Sequence, residues 1–321
     1  MSLSAKRLVL TLSLLGVCAL SVGVATDLRR RAVAPPTGVA VAHYVDRDRL
    51  MSELRQVASA EFEGRATGTP GGLKARAWVA DAFQHAPLEP AGSSGFIEPF
   101  PTKDHGEGAN VVGRLAGSEP GLRIIVVSAH YDHLGRKNGA IYYGADDNAS
   151  GTVTLAAAAR WFAAHQPRHP MVFVAFDGEE IGLLGSKTFV KSPLFDGSHT
   201  AIDVNLDMVS RNDRNEIYAS GLYQSPWLKQ IVMDVQRRSG VTIKMGHDRP
   251  NKKRADPDDW TNQSDHGAFN DVHVPFLYIG VEDHADYHKP TDTADKIDPT
   301  FFGNAADMII EALVTLDRKL H

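Results

Sequence analysis

Five short segments between residues 130 and 293 contain carboxylates, and two of them also contain histidines; both side chains commonly bind divalent metal ions. They are His130-Tyr-Asp132-His133, Gly144-Ala-Asp146-Asp147-Asn-Ala-Ser-Gly151, Asp177-Gly-Glu179-Glu180, Asn205-Leu-Asp207-Met and Tyr287-His288-Lys-Pro-Thr-Asp292-Thr293. Taken singly, each segment is a weak signal, because a glutamate pair is usually solvated and a lone histidine is usually structural. Taken together, so many carboxylates would repel one another unless a cation neutralised them, so the pattern predicts a metal centre.

The mixture of side chains indicates which metal to expect. Carboxylate and imidazole ligands together suit zinc, with manganese or cobalt as alternatives. Calcium and magnesium prefer sites made only of oxygen and would not need the histidines. The sequence therefore predicts a zinc site.

Four of the segments follow apolar runs that are typical of buried strands. These runs are Ile124–Ala129, Val172–Phe176, Val204–Leu206 and Phe276–Ile279. The fifth segment, which ends at Gly151, directly precedes a helical pattern. In open α/β sheets, ligands bind beyond the carboxyl ends of the strands, so we expect these side chains to meet at one edge of one sheet.

Apolar runs and helical periods alternate along the chain, which predicts an α/β fold. We expect a single globular domain with a mixed, mostly parallel central sheet and helices on both faces. The predicted helices are Arg47–Ala60, Gly72–Ala86, Ser150–His165, Ile181–Val190, Pro226–Ser239 and Phe301–Leu320. The predicted strands are Asn110–Leu115, Arg123–Ala129, Met171–Phe176, Ala201–Leu206, Glu216–Ala219 and Val274–Ile279.

The five segments, in this order, resemble the motifs of the co-catalytic two-zinc aminopeptidase family, of the bacterial leucine aminopeptidase and aminopeptidase S type. This family is related to glutamate carboxypeptidase II and glutaminyl cyclase. The resemblance covers the chain from about Glu61 to its C-terminus. It implies the zinc exopeptidase fold and two zinc ions per chain.

The resemblance also implies a role for each matching residue at the metals. Asp147 would bridge both zinc ions, with the adjacent Asp146 as the second choice. One zinc site would be completed by His130 and Asp207, and the other by Glu180 and His288.

Three further residues match positions with roles around the metals. Glu179 resembles the general base, which takes a proton from a metal-activated water and returns it to the leaving amine. Asp132 would accept the free ring N–H of His130 and fix its tautomer. Tyr287 is similar in position to a tyrosine that hydrogen-bonds the oxyanion of the tetrahedral intermediate.

Other polar residues near these motifs receive a weaker interpretation. We expect His133 on the surface, and His284 either behind the ligands or on the surface. Ser264-Asp265-His266 is not interpreted as a nucleophilic triad, because a triad is defined by geometry rather than by adjacency in sequence. This stretch resembles one that lies near the family's substrate pocket. The Glu61–Arg65 segment resembles a family signature, but the sequence does not indicate its role.

The predicted activity is aminopeptidase hydrolysis of peptides that have a free N-terminus. A glutaminyl cyclase-like activity would use one zinc ion, and a carboxypeptidase would need basic residues for a free α-carboxylate. A metal-free, receptor-like ectodomain is an alternative from another class. The full set of ligands favours hydrolysis over cyclisation and over the ectodomain. The net charge of −5 and the pI near 6.3 exclude a broadly basic surface, so we expect no nucleic-acid partner.

The N-terminus differs in character from the rest of the chain. Lys6 and Arg7 precede an apolar stretch from Leu8 to Val24, and residues 23–25 form a small-residue cleavage site. We predict that residues 1–25 are a signal peptide or an N-terminal membrane anchor, residues 26–41 a linker and residues 42–321 the zinc peptidase domain. The protein is therefore expected to be exported, in the periplasm or outside the cell. The sole cysteine, Cys18, lies in the first segment, so the expected mature chain has no disulfide.

Overall fold

The structure is a computed structural model and describes residues 40–249 and 258–321. Its helices are α1 (Arg47–Val57), α2 (Pro70–His85), α3 (Gly151–Ala164), α4 (Leu184–Phe189), α5 (Leu228–Gln236), α6 (His266–Asp271) and α7 (Pro299–Lys319). Its strands are β1 (Glu89–Pro90), β2 (Ile97–Pro101), β3 (Glu107–Leu115), β4 (Ile124–His130), β5 (Arg136–Lys137), β6 (Ala140–Ile141), β7 (Met171–Phe176), β8 (Thr200–Leu206), β9 (Glu216–Ser220), β10 (Thr242–Met245) and β11 (Phe276–Gly280).

Nine of these strands form one sheet in the order β1-β3-β7-β4-β8-β11-β9-β10, with β2 also paired to β3. The four central strands, β7, β4, β8 and β11, run parallel to one another. On one side, β3 is antiparallel to β7, to β1 and to β2. On the other side, β9 is antiparallel to β11 and pairs in parallel with β10. The predicted α/β class with a mixed, mostly parallel central sheet is confirmed.

Helices cover both faces of this sheet. Alternate residues of β4 point to different faces, since Ile125 and Val127 pack in the larger hydrophobic cluster and Val126 packs in the smaller one. Helices α1, α2, α3, α5 and α7 contribute to the larger cluster, and α4 and α6 cover the opposite face with Phe189 and Phe269. Burial on both faces explains why the central strands are nearly continuous apolar runs.

The helix starts follow from local sequence. The Asp46 side chain accepts the backbone N–H of Arg49 and caps α1. The Thr69 side chain accepts the backbone N–H of Gly72 and caps α2, whose first residue is proline. Such caps satisfy N–H groups that have no partner within the helix, and proline suits the first position because it has no N–H to satisfy.

The predicted elements agree with the structure to within a few residues, and Met171–Phe176 agrees at both ends. The helix predicted from Ile181 begins at Leu184 instead, because Gly182 and Leu183 have positive φ values of 106° and 59° and form a turn. The short elements β2, β10 and α6 were not predicted. Each has four to six residues, too few for a clear periodic pattern.

The predicted N-terminal segment, residues 1–25, lies outside the described residues, as does the linker up to residue 39. The larger cluster contains residues from Leu50 to Leu320, so the described chain forms one domain. In the part of the chain that the structure describes, no helix is both long enough and apolar enough to cross a membrane.

Candidate metal centre

The carboxyl ends of three neighbouring parallel strands carry most of the predicted site residues. Strand β4 ends at His130, β7 is followed by Glu179 and Glu180, and β8 is followed by Asp207. His130 lies beside Phe176, the last residue of β7, in the strand register. Because the strands are parallel neighbours, the residues that follow them meet at one edge of the sheet.

The first cluster consists of His130, Asp147 and Asp207. His130 Nε2 lies 3.3 Å from Asp207 Oδ1 and 3.5 Å from Asp147 Oδ1. Two ligands of a tetrahedral zinc ion, each about 2.0–2.1 Å from the metal, lie about 3.3–3.4 Å apart. The spacing of the first cluster therefore fits one zinc ion, and all three side chains are largely buried.

The second cluster consists of Asp147, Glu180 and His288. His288 Nε2 lies 3.1 Å from Asp147 Oδ2 and 3.2 Å from Glu180 Oε2. These distances are again close to the edge of a tetrahedral zinc site. Asp147 directs one carboxylate oxygen to each cluster, and a pair of metal ions requires such a shared ligand. The donor types and their spacing thus fit two zinc ions.

The two adjacent aspartates have different surroundings. Asp146 Oδ1 accepts hydrogen bonds from the backbone N–H and the hydroxyl of Ser210, at 2.8 and 2.7 Å. Asp146 Oδ2 lies 3.2 Å from His284 Nε2. Asp146 is therefore directed to Ser210 and His284, whereas Asp147 is directed to the ligand clusters. This geometry favours Asp147 as the bridging residue.

Asp292 fixes the backbone that carries both aspartates. Its carboxylate accepts the backbone N–H of Asp146 at 3.0 Å and that of Asp147 at 3.1 Å. Asp292 belongs to the same sequence motif as His288, four residues away. These hydrogen bonds therefore link the loop of His288 to the residue placed between the clusters.

The Glu179–Glu180 pair divides between the two clusters. Glu180 lies with Asp147 and His288, while a carboxylate oxygen of Glu179 lies within 4.8 Å of ligand atoms of His130 and Asp207. Gly178, with a φ of 73°, forms the turn that precedes the pair. Neighbouring side chains on this turn point apart, as we expected for one metal ligand and one base.

Asp132 contacts His130 through its main-chain oxygen, and not through its carboxylate as predicted. His130 Nδ1 lies 3.1 Å from the main-chain oxygen of Asp132 but 3.7 Å from its carboxylate, which is too long for a hydrogen bond. The Asp132 carboxylate instead accepts the backbone N–H of Glu179 at 3.1 Å and that of Glu180 at 3.4 Å. The turn after β4 brings the main-chain oxygen closer to the ring, so Asp132 supports the imidazole and the glutamate pair at once.

The prediction that His133 lies on the surface is wrong. Its side chain is fully buried, and its Nδ1 lies 2.6 Å from Glu180 Oε1 and 3.6 Å from Asp147 Oδ2. Alternation along an extended strand would direct His133 away from His130. The chain turns instead, because the backbone N–H of His133 donates to the oxygen of Arg65, which is distant in sequence. No local sequence signal indicates that contact.

Burial and mutual contacts shift the pKa values of the cluster residues. Burial alone would lower the pKa of His288, but hydrogen bonds to Asp147 and Glu180 raise it to about 10. Burial would raise the pKa of Glu180, yet hydrogen bonds from His133 and His288 hold it well below its usual range. Burial raises the pKa of Glu179 well above its usual range. Glu180 therefore stays ionised, while Glu179 holds a proton more readily than a solvated glutamate does.

Arg65 explains the signature segment whose role the sequence did not indicate. Its guanidinium is fully buried and donates to the main-chain oxygens of Tyr131, Tyr143 and Gly144 at 2.9, 2.7 and 2.7 Å. Tyr131 directly follows His130, and Gly144 lies three residues before Asp147. Arg65 therefore joins the segment that follows His130 to the segment that precedes Asp147.

Tyr287 lies beside the second cluster. Its ring stacks on that of His288, with centroids 3.9 Å apart and planes inclined by 23°. Burial and the nearby carboxylates of Asp147 and Asp207 raise the pKa of Tyr287 above its usual value. Its hydroxyl therefore keeps its proton and is available as a hydrogen-bond donor.

The Ser264–His266 stretch does not form a nucleophilic triad. His266 Nε2 lies 2.8 Å from the oxygen of Trp260, and its Nδ1 lies 3.4 Å from the amide of Asn205. The Ser264 hydroxyl accepts that same Asn205 amide at 3.0 Å. Burial lowers the pKa of His266 to about 4, so it is a neutral, hydrogen-bonded residue at the start of α6. The stretch supports the end of β8, which precedes Asp207.

Fold and site together define an α/β protein with a candidate two-metal centre at the carboxyl edge of its sheet. The chain belongs to peptidase family M28, whose model matches residues 110–313. This match contains every residue of both clusters. Zinc is accordingly the metal expected at this site.

Curated relatives have compatible names. A probable zinc metalloprotease of Pyrenophora teres f. teres is 32% identical over 190 residues, which is 52% of this chain and 40% of the relative. A probable leucine aminopeptidase of Arthroderma otae is 26% identical over 275 residues, covering 82% of this chain and 71% of the relative. The chain thus spans well under two thirds of the length of the zinc metalloprotease and slightly more than two thirds of the length of the aminopeptidase.

A solved structure confirms the fold. The zinc aminopeptidase BSAP from Bacillus subtilis superposes with a TM-score of 0.67, covering 84% of this chain and 94% of that one. The sequence identity is 16%, so this likeness establishes the architecture and not the substrate.

Proposed function

We propose that this chain is an exported, zinc-dependent aminopeptidase that removes N-terminal residues from peptides. The observation that carries the proposal is the position of Asp147, whose two oxygens face separate clusters of histidine and carboxylate side chains. His130 and Asp207 would complete one zinc site, and Glu180 and His288 the other. The resemblance to aminopeptidases and the family membership favour this activity.

The chain's own residues then have distinct tasks. When bound, two zinc ions would polarise the scissile carbonyl and lower the pKa of a water molecule. Glu179 would take the proton that this water loses and return it to the leaving amine, for which a raised pKa is suited. Tyr287 would donate a hydrogen bond to the carbonyl oxygen as negative charge develops there.

Cations at the rim of the site give little support to a carboxypeptidase. Arg211 is paired with Asp286 at 2.5 Å, and Lys296 is paired with the same carboxylate at 2.6 Å. A residue that captured a free α-carboxylate would need an available positive charge. Glutaminyl cyclisation would use a single zinc ion, whereas the clusters around Asp147 offer ligands for two.

Metal content and substrate preference test the proposal together. We expect the purified protein to hold close to two zinc ions per chain and to lose activity when a chelator removes them. It should cleave aminoacyl chromogenic amides and leave the same compounds intact when their α-amine is acylated. Full activity after thorough metal removal, or equal cleavage of blocked and free substrates, would contradict the proposal.

We also propose that residues 1–25 direct export, with residues 26–41 as a linker to the peptidase domain of residues 42–321. An apolar stretch such as Leu8–Val24, left on a soluble cytosolic enzyme, would expose a large hydrophobic surface. N-terminal sequencing of the native protein with cell fractionation tests this. A start near Thr26 indicates cleavage, and an intact N-terminus in the membrane fraction indicates an anchor. An intact N-terminus on soluble cytosolic protein contradicts export.

A further inference from the structure

We propose that His133 is a fourth protein ligand of the metal ion held by the second cluster. Asp147, Glu180, His133 and His288 would then close this site, whereas the first cluster would keep an open position beside Glu179. The inference rests on the proposed two-zinc function. It adds that the two metal sites are unequal, because the second would have four protein ligands and the first would have three.

The position of the His133 ring is the first support. One ligand atom each from His133, Asp147 and Glu180 lie within 4.8 Å of one another, a spacing that one metal ion can occupy. His133 Nδ1 faces Glu180 Oε1 and Asp147 Oδ2, while His288 Nε2 faces Glu180 Oε2 and the same oxygen of Asp147. The two ring centroids are 5.8 Å apart. Both imidazoles thus face the same pair of carboxylates.

The chain provides space for this ring. A Cβ atom at Gly144 would lie 2.4 Å from Cδ2 and 2.6 Å from Cγ of His133, much closer than real contacts allow. Gly144 also has a positive φ of 56°, which favours glycine. Any larger residue at position 144 would push the imidazole away from Glu180.

The polar contacts of the ring involve Nδ1, the atom proposed as the ligand. Within the residues that the structure describes, His133 Nε2 is buried without a hydrogen-bond partner, so the ring's polar contacts lie on the Nδ1 side. A neutral imidazole with its proton on Nε2 would present the lone pair of Nδ1 to a metal ion.

The 2.6 Å distance between His133 Nδ1 and Glu180 Oε1 is that of a hydrogen bond. Two zinc ligands lie about 3.3 Å apart, so the two atoms would separate by about 0.7 Å when both bind the ion. Rotation about the side-chain bonds of Glu180 can supply such a movement. If His133 only donated a hydrogen bond to Glu180, a substitution that keeps this hydrogen bond would leave zinc affinity unchanged.

His133→Asn separates the two roles. An asparagine amide can donate to Glu180 as Nδ1–H does, but it is a poor zinc ligand. In chelator competition, we expect the wild-type protein to bind two zinc ions. The variant should bind one of these two ions more weakly. Loss of a residue behind the ligands typically costs 10- to 100-fold in affinity, so loss of a ligand should cost at least about 100-fold at that one site. The other site should keep its affinity.

Cobalt substitution gives an independent measurement. Four-coordinate cobalt absorbs visible light more strongly than cobalt with more ligands, so the absorption from the second cluster should change in His133→Asn. His169→Asn is the matched control, because His169 is also buried but contacts the main-chain oxygens of Arg123 and Leu320, and Arg123 lies at the opposite end of β4 from His130. This control should leave the cobalt spectrum and both zinc affinities unchanged. Circular dichroism of the metal-free variants establishes that each is folded.

Unchanged zinc affinities and an unchanged cobalt spectrum in folded His133→Asn would overturn the inference and leave the proposed function standing. Equal losses in His133→Asn and His169→Asn would also overturn it, because the effect would then come from general destabilisation. A wild-type protein that binds no zinc would overturn both this inference and the proposed function.

Discussion

Replacing Glu179 by glutamine tests the division of labour between the two adjacent glutamates. The glutamine side chain has almost the same size, and the Asp132 carboxylate that holds the backbone N–H of residue 179 is untouched. The substitution removes the basic carboxylate beside His130 and Asp207 and changes little else. Glu179→Gln should therefore fold normally and keep both metal ions.

The expected loss differs between the two glutamates because Glu179 lies beside the first cluster and Glu180 faces two histidines. A positioned general acid–base contributes about 10²- to 10⁴-fold to turnover, so the loss in kcat should correspond to about 2.7–5.5 kcal/mol. Glu180→Gln, the matched comparison, removes the charge that faces His133 at 2.6 Å and His288 at 3.2 Å. That variant should lose one zinc ion as well as activity.

The assay pairs zinc analysis of dialysed protein with initial rates on an aminoacyl chromogenic amide. Glu179 also lies close enough to His130 and Asp207 to bind a metal ion itself, so the zinc content of Glu179→Gln distinguishes a base from a ligand. If Glu179→Gln emptied a metal site while Glu180→Gln kept both ions, the roles assigned to the pair would have to be exchanged. A loss of less than about tenfold in kcat for Glu179→Gln would remove it as the base.

Two other predictions concern protonation and the buried arginine. The pKa of His288 is raised to about 10 and that of His130 is raised well above its usual value, so both should be protonated at pH 7 without metal. Zinc binding should then release about two protons, measured by calorimetry in buffers of different ionisation enthalpy, and release well below one would contradict these contacts. Because folding raises these two pKa values, the contribution of the two histidines to the stability of the metal-free protein should be fully present below about pH 6.5 and should be lost as the pH rises towards 10, visible as a falling Tm over that range. Arg65→Met leaves buried carbonyl oxygens without donors and should cost about 3–5 kcal/mol in unfolding free energy. A substitution of exposed Arg55 should cost under about 0.5 kcal/mol, and equal effects for the two arginines would contradict the role given to Arg65.

Much of the fold could be predicted because its cause is local. The run Met171–Phe176 is apolar at every position and bounded by Pro170 and Asp177, so its strand was predicted at both ends. The short strand β10, which pairs with β9, was missed because four residues are too few to establish an alternating pattern. The helix after Glu180 was predicted too early, because positive φ values at Gly182 and Leu183 depend on the turn and not on the apolar pattern.

The sequence alone also determined which residues to consider at the metal site. Ligand types at the ends of apolar runs placed His130, Glu180 and Asp207 at one edge, since parallel strands bring their carboxyl ends together. The order of the motifs added Asp147 and His288 through the resemblance. Residue type and spacing are properties of the linear sequence, so these candidates could be identified without the structure.

Only the tertiary structure decided the contacts that join distant segments. His133 was expected on the surface, but its backbone N–H donates to the oxygen of Arg65, and the missing side chain of Gly144 leaves room for its ring against Glu180. Arg65 itself reaches oxygens on two other loops. A buried imidazole or guanidinium is directed by partners far away in sequence, and strand periodicity holds no information about which partners those are.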